Sequence, residues 1–365
     1  MDPSLRQTAL TAGAAFATAL LAVWIVTWPP NPPAAAQPAQ VQAAAPLPAG
    51  QDAYPIYRKV ADALDTPAIY QANKAFEAFK QGPRGAFPGA CANQAAANRL
   101  RLLALAQGRS LAGVQLPLGP GVAVPVYLYT SLGEVAAMAC ARDLEAHHPE
   151  KAARTAAAVI DMSIKFARAR GAGGRVYAGL AGCSLQVLDG LATFRAELLA
   201  APSPVLYQLA HELDRAARLA PPLAAIPRGE LTRLAGEWDD GPLLTTPLYR
   251  FHERYGRAPT TRAWLYPETG GTAGVAHVAA AVPLMEAALA KRDFARLRKL
   301  GEPPGGDEFL HGTSAALVFH PGEYARWVML QQAVEDVGRG AQAWQAFTHG
   351  MSDLRKAIAA ELARR

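Results

Sequence analysis

From Thr8 to Trp28 the chain carries no charged residue. Leu10, Phe16, Leu20, Leu21, Val23, Trp24, Ile25 and Val26 lie inside the run, which stops at Trp28-Pro29-Pro30-Asn31-Pro32-Pro33. A helix that crosses a bilayer needs ~20 mostly apolar residues, and this stretch has that length. A cleaved signal peptide is the competing reading, with Ala34-Ala35-Ala36 as the small residues a peptidase requires. Its apolar core would normally be only ~7–15 residues, so the expected form is an uncleaved anchor. Trp24 and Trp28 sit at the outer end, where an interfacial aromatic belt belongs.

Orientation follows from basic charge. Arg6 precedes the apolar run, and no Lys or Arg follows it until Arg58. The positive-inside rule then leaves residues 1–7 in the cytoplasm. In a bacterium, the chain is expected in the inner membrane with its bulk in the periplasm.

Residues 29–53 are rich in Pro, Ala and Gln, and no charge appears between Arg6 and Asp52. Such a tract cannot bury a core and favours an extended, polyproline-like spacer. The expected organisation is a short tail (1–7), an anchor (8–28), a linker (29–53) and a folded domain (54–365), with a sub-boundary near 221–230.

The fold class expected of residues 54–365 is all-α. Alanine dominates the apolar class, which suits close-packed helices better than sheets. Helical spacing runs through Tyr54–Leu64, Pro67–Lys80, Ala92–Gln107, Thr130–Ala146, Pro149–Arg170, Gly174–Ala200, Ser203–Leu219, Arg228–Trp238, Gly274–Arg292 and Gly322–Arg365. Val176, Leu180, Cys183, Val187, Leu191, Phe194 and Leu198 follow one another at three- and four-residue steps, the mark of a buried stripe. Ser203 is the expected N-cap of its helix, and Gly350 with Ser352 is a point where the last helix divides. Val122–Tyr129 is the one candidate strand, demoted to an edge or loop by Pro125. Segments 130–219 suggest two antiparallel hairpins, repeat-like or bundled, without any known repeat consensus.

The formal net charge is +6, and of 36 basic residues 28 are Arg and 8 are Lys. No basic run is interleaved with aromatics in the manner of a nucleic-acid surface, so no nucleic acid is expected among the partners. Cys91, Cys140 and Cys183 are an odd number in a compartment that permits disulfides; one bridge with one free thiol, or three buried thiols, both fit. There is no phosphate loop, dinucleotide fingerprint, zincin helix or nucleophile elbow, and no cofactor or metal is expected.

Four constellations remain. His147-His148 lies at a helix-to-helix turn, where helix capping accounts for imidazoles better than metal binding. Asp307, Glu308 and His311, with His320 beyond, fall in a Gly-rich stretch where polar residues are ordinary. Glu237 beside Trp238, and Glu134 beside Gly133, are the carboxylates that a cell-wall hydrolase with a single catalytic Glu would use. Tyr249, Arg250, Phe251, Arg254, Tyr255, Arg257, Arg262 and Trp264 interleave rigid aromatic area with guanidinium groups, the composition of an interaction hot spot for an anionic partner. The expected function is therefore a membrane-anchored binding, scaffold or assembly module whose partner is another envelope protein or an anionic cell-wall or lipid component. The hydrolase is the rival.

Overall fold

The computed structural model describes residues 47–83, 85–117, 124–238, 267–302 and 321–365. Their architecture is all-α, with no strand among the described residues. The helices are α1 (Tyr54–Asp62), α2 (Thr66–Gln81), α3 (Gly89–Ala97), α4 (Arg99–Arg109), α5 (Val126–Glu145), α6 (Pro149–Ala167), α7 (Gly174–Thr193), α8 (Arg195–Leu199), α9 (Ser203–Leu219), α10 (Ile226–Trp238), α11 (Pro267–Ala290), α12 (Phe294–Lys299) and α13 (Pro321–Leu362). Among the described residues no helix is long and apolar enough to cross a membrane. The Thr8–Trp28 run lies outside them.

Helix ends follow local chemistry. The Asp65 carboxylate accepts from Ala68 N–H at 3.2 Å and starts α2, with Pro67 in the first turn where its missing N–H costs nothing. Between α5 and α6, His147 takes φ 58°. Its N–H donates to Leu144 O and His148 N–H donates to Asp143 O. Those two bonds are a Schellman stop, here built without glycine. The backbone of His147 terminates one helix and His148 stands at the N-cap of the next without a side-chain capping bond.

α7 is the axis of the core. It packs on α5 and α6 on one side and on α13 on the other, and every residue of its expected stripe is buried. Small residues allow the close crossings. A Cβ on Gly133 of α5 would stand 2.6 Å from the Cys183 Cα of α7, and a Cβ on Gly174 would overlap the Asp336 carbonyl of α13. Alanines 152, 153 and 156–158 bring α6 against its neighbours. Tyr57, Tyr129 and Phe166 form the aromatic floor under α1 and α5, with the Tyr129 and Phe166 ring centres 4.9 Å apart.

Several local expectations change. Residues 126–129, the described part of the candidate strand beyond Pro125, are the first turn of α5, because helical register buries Leu128 and Tyr129. The Ala92–Gln107 helix is two helices. Asn98, itself buried, breaks it by donating its side-chain amide to Gln94 O at 3.0 Å. α7 ends at Thr193, where Phe194 leaves helical geometry to join Phe79 and Phe87. Ser203 is the first helical residue of α9 and makes no capping bond; Pro202 precedes it. α13 runs unbroken through Gly350, which lies against Leu188 of α7. The 126–219 region is consequently a bundle rather than two stacked hairpins: α5, α6 and α7 pack mutually, and α9 lies on α6 and α13.

Candidate functional site

The most connected polar cluster joins α4, α6 and α9. Asp161 and Lys165 share a face of α6 at i, i+4, inside a run of buried apolar residues from Ala156 to Phe166. The Lys165 ammonium stands 3.0 Å from the Asp161 carboxylate. It also donates to the carbonyls of Gly108 and Arg109 at 2.6 and 2.9 Å, closing the C-terminus of α4 as a cation does well. From α9, Arg215 pairs with Asp161 at 2.5 Å and with Glu212 at 3.1 Å. Arg109 reaches the same Glu212 at 2.6 Å.

Electrostatics follow from this pairing. Burial pushes the Lys165 ammonium below its ordinary value, against the opposing pull of Asp161. Burial alone would raise the Glu212 carboxyl, but the Arg109 hydrogen bond and the charges of Arg109 and Arg215 hold it below the usual carboxylate range. Three cations and two carboxylates thus interlock, with both carboxylates engaged by guanidinium groups. The Tyr57 hydroxyl and Arg109 Nε are buried nearby without a hydrogen-bond partner. The adjoining recess between α6 and α9, walled by Ile160, Ile164, Leu209 and Leu213, has room for no more than about one water molecule. The cluster fits a helix-to-helix lock. It offers no free base and no space for a substrate. Sequence reasoning missed it, although an isolated Asp–Lys pair inside an alanine-rich buried face was a visible signal.

A second lock holds the start of α7. Glu230, fully buried on α10, accepts from Gly174 N–H at 2.9 Å and pairs with Arg233. Asp336 of α13, also buried, pairs with Arg175 at 2.7 Å.

Glu134 is the one carboxylate of the sequence-derived set with a described side chain. It is half-buried on α5, where Asn73 of α2 donates to it at 3.1 Å. Burial first, and the Glu77 charge second, raise its carboxyl above the ordinary range. Glu77 is drawn away toward Lys80, at 2.7 Å. Gln186 of α7 borders the same strip through Gly133, its Oε1 buried without a partner. A protonated acid is chemically reasonable here; its neighbours are the Asn73 amide, which donates to it, and the Glu77 carboxylate, which is paired with Lys80.

Glu237 falls in the last turn of α10, and its side chain lies outside the described residues. Tyr249, Arg250, Phe251, Arg254, Tyr255, Arg257, Arg262 and Trp264 lie outside them as well, as do Asp307, Glu308, His311 and His320. Cys91, Cys140 and Cys183 are free and buried. Burial raises all three thiols, Cys91 to about 11, so they are packing residues rather than nucleophiles. Among the described residues no group of three or more His, Cys, Asp or Glu is placed to hold a metal ion.

The chain matches no protein-family model, no curated protein and no solved structure.

Proposed function

We propose that this chain is a membrane-anchored helical module of the bacterial envelope, held by Thr8–Trp28 and projected into the periplasm by residues 29–53. In this reading it binds and does not catalyse. The observation that carries it is the uncharged apolar run followed at once by a proline-rich spacer, ahead of an all-helical body. Support also comes from the buried ion clusters, whose carboxylates are spent on arginines and backbone ends rather than left open for chemistry.

The binding surface is the segment from Tyr249 to Trp264, between α10 and α11. Its arginines suit carboxylate or phosphate partners bidentately, and its aromatics supply rigid contact area. The partner is an anionic envelope protein, cell-wall polymer or lipid. Arg254→Glu combined with Arg257→Glu abolishes partner cross-linking in intact cells and leaves helicity and melting unchanged. Cross-linking that survives the double reversal removes this segment from the account.

The raised carboxyl of Glu134 keeps a cell-wall hydrolase as the second reading. It expects Glu134→Gln or Glu237→Gln to destroy release of wall fragments by the purified full chain. Wild-type protein without such release excludes it.

A further inference from the structure

The linker enters the folded body beside one particular helix. Ala53 N–H donates to Gly113 O at 2.9 Å, and Gln115 N–H donates to the Asp52 carboxylate at 2.9 Å. Asp52 and Gly113 form an isolated parallel bridge. Gly113 follows shortly after the end of α4 at Arg109. The chain that runs back toward the anchor therefore leaves the body at the C-terminal end of α4.

α4 has an outward apolar face. Leu100 is 81% exposed and Leu103 is 58% exposed, and Gln107 continues the same face one turn on. At ~100° per residue, Arg99 and Arg101 fall on either flank of Leu100. The exposed Arg99 stands 4.0 Å from the largely buried Asp143, at the outer limit of an ion pair, and Arg101 donates to Asn98 Oδ1 at 2.6 Å, which leaves further N–H donors of each guanidinium for an outside acceptor. From Ala78 to Gly133 the sequence has no Asp or Glu, whereas Lys80, Arg84, Arg99, Arg101 and Arg109 fall within it. Exposed leucines between arginines, in an acid-free stretch, are the chemistry of a helix lying at an anionic lipid interface.

We propose that the Leu100–Leu103 face of α4 docks on the surface of a bilayer containing anionic lipid, laying the body against the membrane that anchors it. The inference rests on the preceding reading for which membrane is near, and on α4 itself for the face that meets it. Leu100 and Leu103 enter the headgroup region and the two flanking guanidinium groups pair with lipid phosphates. A linker of this length, at ~3 Å per residue when extended, reaches far enough for the body to stand off or to dock, so docking adds an orientation that the anchor alone does not impose.

The test uses the full chain reconstituted into phosphatidylcholine vesicles with or without phosphatidylglycerol. A fluorophore is placed at Gln107→Cys or, as the control, at Lys356→Cys on α13; the native thiols are buried and do not label. A nitroxide carried on lipid is the quencher. With phosphatidylglycerol, the label at position 107 should be quenched several-fold more than the label at 356. The difference should collapse in 1 M salt, where the screening length falls from ~10 Å to ~3 Å. Arg99→Gln with Arg101→Gln should lower the docked-to-undocked ratio about tenfold or more, and Leu100→Ser with Leu103→Ser should abolish the difference. Equal quenching at 107 and 356 overturns the proposal. So does lipid-independent self-quenching at 107, which assigns the face to a second copy of the chain. Vesicle flotation reports the anchor separately. If the mature chain does not float without anionic lipid, yet position 107 is quenched when such vesicles are added, the anchor fails and the docking face stands.

Discussion

α7 and α4 both carry leucines at helical spacing, and they use them in opposite ways. On α7, Leu180, Leu188 and Leu191 are buried between α5, α6 and α13, and glycine at both ends of contact lets the backbones close in. On α4, Leu102 and Leu105 are buried while Leu100 and Leu103 face outward. α7 spends its leucines on the core and leaves only a narrow edge, at Asp189 and Ala192, to solvent. The other is a wall with an inner face for the core and an outer face that packs on no other helix among the described residues. Leucine count alone does not separate the two; the charges around them do. Glu230 and Asp336, which hold the start of α7, are buried and paired, while Arg99 beside Leu100 is exposed and only 4.0 Å from Asp143, and Arg101 is half-buried against Asn98.

The hardest test of this contrast is at the α7–α13 crossing. Gly174→Ala drives a Cβ into the Asp336 backbone carbonyl, which cannot swing aside as a side chain can. It should cost more than about 4 kcal/mol, the range kept for backbone clashes and core ruptures, and should leave little folded protein by circular dichroism. A melting point within a few degrees of wild type would show that the helices can separate cheaply.

Next in size is a leucine comparison. Leu191→Ala, at a fully buried position, should cost about 2–5 kcal/mol. Leu103→Ala should stay within about 0.5 kcal/mol, as surface changes do, and Ala192→Ser beside Leu191 should likewise be small. Equal shifts in thermal melts of Leu191→Ala and Leu103→Ala would erase the distinction between the two helices.

A smaller effect distinguishes the two carboxylates by pH. The Glu212 carboxyl is depressed in the fold, so its contribution is present above the unfolded value near pH 4–5 and is lost as pH falls through the folded value. The Glu134 carboxyl is raised, so its contribution is present below the unfolded value and is lost as pH rises through the folded one. Glu212→Gln should therefore cost about 1–3 kcal/mol at neutral pH and flatten the acid limb of the melting profile. Glu134→Gln should be close to wild type in acid, where both side chains are neutral, and neutral or stabilising at pH 7, flattening the loss of stability as pH rises. The opposite ordering would mean that Glu134 is held as a carboxylate, and the hydrolase reading would lose its proton donor.

Much of the fold was legible because burial is periodic. The α7 stripe, the start of α6 at Pro149 and the α13 face from Leu330 to Ile358 all follow from spacing. Spacing does not report which end of a leucine-rich helix faces out, so the exposure of Leu100 and Leu103 could not be read. Nor does it foresee a side chain that competes with the backbone, as Asn98 does between α3 and α4. Phe194 kept the period of the stripe and still ended the helix, since its ring gains contacts with Phe79 and Phe87. The Asp161–Lys165–Arg215–Glu212–Arg109 lock was legible only as one misplaced pair, because its other members come from distant helices.

Whether the helical body works from a membrane anchor is decided by the intact mass of the mature protein purified from its own membranes. An anchored chain retains residues 1–33 and leaves the membrane fraction only when detergent is added. A soluble mature chain beginning near Gln37 would contradict the proposed anchor.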